Sequence, residues 1–331
     1  MTTAKTLEAK RVLVTGANGG LGLATSRAIL EEGGTVVFAC RSMAKAQAAA
    51  EAARQGTDLA PDRTVAAGGF DMLDPAAIDS AVEALPPELI DVVFLQAGGW
   101  VWADELQTVA VGGVPVEATV AKNVVGAHAT LRALLQSDRL SAGARVVIVG
   151  GEGARGVPGA IARPSFLDAR QFEAYLGGKP AGPYVPIDAL GVAKLCAGLW
   201  ALQAAEAFDA TELSVLSFTP GLIGGTGGTA GMPAWKEALF QRVAFPLMVA
   251  LGRAQWPAAA AAKCVDALSG RVGQHGDVLG APEGKTLGPI TDQVPMRPAF
   301  GDPAFRTSVW RLCEAAVGPL SLPPRGTAAA S

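Results

Sequence analysis

"RVLVTGANGGLGLATSRAI", residues 11–29, decides the fold. A short apolar run after Arg11 leads into a glycine-rich turn, and that turn opens directly into a stretch with helical spacing. Gly16, Gly20 and Gly22 stand in a GxxxGxG arrangement, with Asn18 and Leu21 between them. Glycines so placed permit a tight turn, close approach of backbone to a pyrophosphate, and close packing of helix on strand. The amides at the helix start then face an anion. A glycine-rich turn alone says little; one that follows a strand, opens a helix and lies near the start of the chain reads as a nucleotide turn.

Outward from this turn, short β-rich runs alternate with Ala-rich helical stretches. "RVLVT" (11–15), "TVVFAC" (35–40), "RTVAAGGFD" (63–71), "DVVFLQAG" (91–98), "ARVVIVGG" (144–151) and "ELSVLSF" (212–218) read as strands. Their near-continuous apolar character suits a parallel sheet covered on both faces. The stretches between, among them 116–136 and 188–208, carry helical spacing. The alternation predicts an α/β, doubly wound parallel sheet (a Rossmann fold) with right-handed crossovers and strand order 3-2-1-4-5-6-7. No linker composition divides residues 1–331, so one domain is expected. A Gly/Pro-rich insertion over the active-site edge is expected at 152–188, a substrate lid at 219–255 and a last helix at 302–318.

With 331 residues, 50% of them hydrophobic and 17% charged, the chain can bury a large core. A net charge of −3 and the lack of any basic run argue against a nucleic-acid partner. The N-terminus enters the first strand without an apolar leader, so a cytoplasmic protein is expected. The most lipid-like stretch, "VAFPLMVALG" (243–252), is about half of what a spanning helix needs, so stable membrane insertion is not expected. Cys40, Cys196, Cys264 and Cys313 show no metal spacing and read as reduced and buried, and no metal site is expected.

The end of the second strand bears on the nucleotide. An acidic residue there would bind the adenine ribose and repel a 2′-phosphate; this chain has "ACRS", with Arg41. A guanidinium grips phosphate bidentately, which favours NADP(H) over NAD(H), although a solvated arginine after a strand is the plainer alternative. "FDMLD" offers Asp71 and the Met72 amide to the adenine edge.

Together these residues resemble the short-chain dehydrogenase/reductase superfamily, over most of the chain. "LQAGG" (95–99) resembles its Asn-Asn-Ala-Gly element, with Gln96 in place of asparagine and Ala97 and Gly98 as implied cofactor contacts. "KNVVGAHATL" resembles the helix carrying the family's catalytic asparagine, here Asn123. "TPGLIGGT" (219–226) resembles the turn that contacts the nicotinamide carboxamide and implies Pro220, Ile223 and Thr226. "GVAK" ends on Lys194, the family's ribose-holding and proton-tuning lysine. Within the superfamily, "FACRSMAKAQAA" and "DPAFRTSVWRLCEAAVG" resemble the protochlorophyllide reductase and retinol dehydrogenase-like branch, which implies NADPH and a large apolar ring substrate.

The resemblance fails at the proton donor. The family's tetrad is Asn, Ser, Tyr and Lys; here the tyrosine position is Leu190 and the serine position is Gly150 or Gly151. The chain has two tyrosines, Tyr175 and Tyr184, and a loop can fold Tyr184 back toward the nicotinamide. Glu152, after the fifth strand, is a second candidate acid, and Asp188 reads equally as the N-cap of the Lys194 helix. His128 and His275 have no partner visible in the sequence and read as structural, while Trp100 and Trp102 suit either stacking on a planar substrate or core packing. Three readings remain open: an NADP(H)-dependent oxidoreductase with a non-standard proton donor acting on a small to medium apolar molecule, a non-redox isomerase, lyase or cyclase, and a catalytically silent nucleotide binder. The expected partners are a small-molecule substrate and, given helices that resemble the family's dimer helices, a second copy.

Overall fold

The computed structural model describes residues 6–58, 60–180, 182–224 and 234–322. Its main sheet contains β1 (Arg11–Thr15), β2 (Thr35–Ala39), β3 (Thr64–Ala67) and β4 (Ile90–Leu95). A separate hairpin comprises β5 (Thr108–Val111) and β6 (Val114–Glu117), and the main sheet resumes with β7 (Leu140–Val149), β8 (Leu213–Phe218), β9 (Val278–Gly280) and β10 (Thr291–Asp292). The strand order is β3-β2-β1-β4-β7-β8-β9-β10. With the hairpin left out of the numbering, the first seven are the expected 3-2-1-4-5-6-7, all parallel, and β10 closes the edge antiparallel to β9.

Alternation along each strand feeds two cores. Leu13, Val37, Val93, Val146 and Ile148 face one layer of helices, while Val12, Val14, Val36, Phe38, Phe94 and Val147 face the other. Burial on both faces is why the strands read as continuous apolar runs. Helices α1 (Gly20–Glu31), α2 (Met43–Arg54) and α3 (Pro75–Glu83) follow the first three strands, and Ser42 and Asp74 cap α2 and α3 by accepting from Lys45 N and Ala77 N.

The hairpin corrects the expected helix at 116–136. Gly112 and Gly113 take φ of +56° and +83°, a two-residue turn that joins antiparallel strands with matching twist. Val116 and Glu117 therefore belong to β6, and the helix starts at Ala118, where Glu117 Oε2 accepts from Val120 N at 2.8 Å. That helix runs over 118–136 with a π-turn at Ala121–Val125. The long helix Pro186–Ala207 is apolar and long enough to cross a membrane by composition, but its apolar window is 67% buried and it packs in the core around Trp200.

The insertion is more ordered than its composition suggests. It opens with a 3-10 turn, Glu152–Arg155, and contains the helix Ala169–Leu176. That second helix packs beside the C-terminal helix Pro303–Val317, with Phe172 and Phe305 stacked at 4.9 Å, so this half of the insertion lies against the C-terminal helix. The lid region forms a helix over 234–250, and the Phe245 ring packs so closely over Gly224 that a Cβ there would meet it at 2.1 Å.

Candidate active site

The turn after β1 is shaped by contacts that exclude side chains. Gly16 has φ +66°, and a Cβ on it would lie 2.6 Å from Gln96 Nε2. A Cβ on Gly22 would lie 2.4 Å from Gly16 O and 2.9 Å from Ala17 Cα, so the first turn of α1 rests directly on the loop. The N-cap of α1, Gly19, makes no side-chain cap, and no acidic residue occupies the first turn. The amides around Gly20, Leu21 and Gly22 are thus left to an outside acceptor, the arrangement an anion needs.

Gln96 explains its own departure from the family's asparagine. Its Nε2 donates to Thr15 O at 2.7 Å and to Gly16 O at 2.8 Å, tying β4 to the glycine turn. Thr15 Oγ1 accepts from Gln96 N and Ala97 N, both at 3.0 Å, which holds Ala97 and Gly98 at the carboxyl end of the sheet. Arg41 is exposed at the end of β2. Asp71 Oδ1 accepts from Leu73 N at 3.1 Å, and Met72 is buried so tightly against Gly126 that a Cβ there would meet Met72 O at 2.5 Å.

Asn123 is the hub of the other half. The π-turn places its Oδ1 to accept from Gly99 N at 3.3 Å and from Lys194 Nζ at 3.2 Å. Its Nδ2 donates to Gly99 O at 2.7 Å and Thr119 O at 2.8 Å, so every polar atom of the amide is used. Lys194 Nζ also donates to Val149 O at 3.1 Å, and burial pushes its pKa down to about 8. Asn123 and Lys194 are therefore one unit, bridging the loops after β4 and β7.

The positions that the sequence resemblance assigns to a serine and a tyrosine carry no hydroxyl, and the backbone at 150 and 151 is crowded. A Cβ on Gly151 would lie 2.6 Å from Lys194 Cγ, and one on Gly150 would lie 2.6 Å from Thr219 Oγ1. Gly150, Gly151, Lys194, Ser217 and Thr219 line a cavity of about 10 Å³, enough for roughly one water molecule. Leu190 stands one helical turn before Lys194, where no proton can be supplied.

Both proposed substitute acids are redirected by tertiary contacts. Glu152 Oε2 is ion-paired with Arg155, and its Oε1 accepts from Ala281 N at 3.1 Å. Arg155 also donates to Pro282 O at 3.2 Å and Ala281 O at 3.0 Å, so the pair clamps the β7 loop to the segment after β9. Burial pushes the Glu152 pKa up while Arg155 and the Ala281 amide pull it back, and neither oxygen is left for a substrate. Tyr184 is half-buried, and its pKa is pushed up to about 12 by burial and by the Glu117 carboxylate. A phenol tuned for proton transfer needs a cation beside it; Tyr184 has an anion. Glu152 is thus engaged within the fold, and the charge that acts on Tyr184 is an anion rather than a cation.

The remaining candidates are structural. Asp188 is not an N-cap: the Lys194 helix starts at Pro186 with Val185 as its cap, and Asp188 Oδ1 accepts from Ala162 N at 2.7 Å. His128 is buried, with Nδ1 accepting from Trp200 Nε1 at 3.1 Å and Nε2 paired with Gly318 O at 2.9 Å. His275 links Val215 N and Ala205 O. Trp100 and Trp102 pack on each other at 5.4 Å, with Trp100 buried. Pro220 O accepts from Gln255 Nε2 at 2.6 Å, and Ile223 bridges Gln255, which stitches the loop after β8 to the end of the lid region; Thr226 lies outside the described residues. Lys122, half-buried, lies beside Asn123 on the same π-turn. Among the described residues no group of His, Cys, Asp and Glu is arranged to hold a metal.

Comparison with known proteins agrees with this geometry. Residues 10–162 match the short chain dehydrogenase family model. That match takes in the glycine turn and Asn123 and ends before Lys194. A 96-residue segment is 33% identical to a WW domain-containing oxidoreductase of Drosophila melanogaster, spanning 28% of this chain and 23% of that relative. Among solved structures, an uncharacterised protein from Mycobacterium paratuberculosis is similar over 97% of this chain and 99% of its own, with TM-score 0.65 and 21% identity. A short chain dehydrogenase from Burkholderia cenocepacia in complex with NADP covers 80% of this chain and 91% of its own, with TM-score 0.53 and 22% identity. A reductase/Diels-Alderase from Malbranchea aurantiaca covers 80% and 92%, with TM-score 0.57 and 16% identity. These structural likenesses concern the fold.

Proposed function

We propose that the chain is an NADP(H)-dependent oxidoreductase of short-chain dehydrogenase type that works without the family's phenol. The observation that carries this reading is the Lys194–Asn123–Gly99 hydrogen-bond chain set beside an uncapped glycine turn. In this reading these residues grip the coenzyme, and a side chain at Gly150 or Gly151 would press on Thr219 or Lys194. Residues Gly16, Asn18, Gly20, Leu21 and Gly22 would hold the pyrophosphate, Arg41 the 2′-phosphate, Asp71 and Met72 the adenine, Ala97, Gly98 and Lys194 the ribose, and Pro220, Ile223 and Thr226 the carboxamide. A bound reduced nicotinamide supplies a hydride. Lys194 orients the ribose and, with its pKa near 8, keeps an ammonium at the rim in neutral solution.

The substrate of this reading is a small to medium apolar molecule, sought first among conjugated rings in line with the protochlorophyllide reductase-like features; its proton comes from water or from the substrate itself. Four buried, unpaired thiols accord with a cytoplasmic setting, and a homodimer remains part of the proposal. The closed hydroxyl positions favour one second reading, a non-redox reaction or silent nucleotide binding on the same scaffold.

Calorimetric titration with NADPH, followed by hydride-transfer assays on activated alkenes and carbonyls, tests both. Binding with turnover that Lys194→Met abolishes supports the oxidoreductase; binding without any hydride transfer favours the second reading; absence of binding at millimolar coenzyme removes the oxidoreductase and silent nucleotide binding and leaves only a coenzyme-independent reaction.

A further inference from the structure

We propose that the helix over 234–250 is a membrane-surface helix that lays an apolar row on an anionic lipid bilayer. This inference goes beyond the coenzyme reading and does not depend on it. Among the described residues, the exposed large apolar side chains fall into two sets. Met43, Leu73, Leu89, Leu167 and Val185 are scattered singly, which is ordinary for a protein surface. Trp235, Leu239, Val243, Leu247, Leu251 and Trp256 crowd instead into one short segment.

The first five of these recur at every fourth position, from Trp235 to Leu251, and each is 55–67% exposed. In an unbroken α-helix such a row drifts round the axis by about 40° per step. The π-turn Phe240–Ala244 takes up an extra residue in mid-row and sets Leu247 and Leu251 back toward the side of Trp235 and Leu239. The inward side already has its partners. Phe245 is fully buried, with its ring over Gly224 and 5.1 Å from that of Trp256. The row is therefore not the face by which this helix holds to the rest of the chain.

Charge selects what covers the row. Residues 234–256 carry Lys236, Arg242 and Arg253 with Glu237 as the one acid, in a chain whose net charge is −3. Arg242 and Arg253 are exposed, one beside Val243 at the middle of the row and the other just beyond Leu251. Tryptophan stands at both ends, and an indole suits the boundary between headgroup and hydrocarbon. Leucine and valine on one face, with arginine at its flank, is the pattern of a helix that lies in the plane of an anionic surface. A second copy suits the row less well. Two such helices paired antiparallel across Val243 would set their Arg242 side chains on the same flank, like charge against like. The helix is also short of the roughly 20 apolar residues needed to span a bilayer, so it lies on the surface and does not cross.

The test uses the whole chain without coenzyme, sedimented with vesicles of phosphatidylcholine alone or of phosphatidylcholine mixed with phosphatidylglycerol. Binding to the mixed vesicles is expected to exceed binding to phosphatidylcholine by about tenfold and to fall as salt rises. Leu247→Glu is expected to weaken binding to the mixed vesicles by about tenfold or more, and Arg242→Glu with Arg253→Glu to remove the preference for anionic lipid. Leu89→Glu, an equally exposed site before β4, is expected to leave binding within about threefold of wild type. Wild-type protein that stays in the supernatant overturns the proposal, as does equal weakening by Leu89→Glu. Equal binding to both vesicle types overturns the role of charge. A dimer in light scattering that Leu247→Glu dissociates, with no sedimentation, gives the row to a second copy and overturns the lipid assignment. Circular dichroism of each variant separates lost binding from lost folding. With no coenzyme present, failure here leaves the NADP(H) reading standing.

Discussion

The turn after β1 and the rim after β7 both depend on glycine pairs, for opposite reasons. Gly16 and Gly22 lack side chains so that backbone can close on backbone, and the amides of α1 are left facing outward. Gly150 and Gly151 lack side chains because Thr219 and the Lys194 methylenes already occupy that space. The first pair leaves backbone amides open; the space beside the second is filled by the protein. The Lys194 methylenes fill that space, and its Nζ donates to Asn123 Oδ1 and to Val149 O.

The two regions also differ in what holds them. The nucleotide side is fixed by short-range backbone contacts and the Gln96 amide. The rim is fixed by a buried ion pair between Glu152 and Arg155, spanning from β7 to the segment after β9. Arg155→Met should therefore give the largest effect, because it strands a buried carboxylate. A loss of about 3–5 kcal/mol in denaturant unfolding is expected, with coenzyme affinity of the remaining folded protein little changed. A negligible loss would show that the clamp does not hold the rim.

Acid should also act away from the nucleotide turn. Burial holds His128 at about 4, below its ordinary 6.5, because the neutral ring is fixed between Trp200 and Gly318. The unfolded chain binds the proton more readily, so the stabilisation is present above pH 6.5 and declines as the pH falls toward 4. The loss amounts to about 3 kcal/mol across that window. Unfolding curves of wild type and His128→Phe between those limits check it: the wild type should show the steeper dependence.

Gly22→Ala and Gly151→Ser sharpen the contrast between the glycine pairs. Each should cost about 1–3 kcal/mol of stability by overpacking. Gly22→Ala should in addition weaken NADPH, since the first turn of α1 must move off Gly16. Gly151→Ser should displace Lys194 and fail to create carbonyl reduction even with Leu190→Tyr; brisk turnover by that double variant would show that the rim has room after all. The smallest effect is expected at Tyr184→Phe, with turnover and stability unchanged within about 0.5 kcal/mol. Abolished turnover there would restore the phenol to the mechanism and break the distinction between the two regions.

The order of the sheet, the glycine turn and the helices bearing Asn123 and Lys194 were legible in the sequence, because each follows from spacing within a few residues. Hydrophobic runs, glycines at a strand–helix junction and a lysine at fixed helical distance do not depend on distant partners. The β5–β6 hairpin escaped notice because its residues merge with the apolar start of the following helix. The tasks of Glu152, Tyr184 and Asp188 were not legible at all. Each depends in part on a group far away in the chain: Ala281 for Glu152, Glu117 for Tyr184 and Ala162 for Asp188. Local pattern determines where a backbone turns and which face it buries. Whether a carboxylate or phenol is free to move a proton depends on what the fold sets against it, and only the tertiary structure decides that.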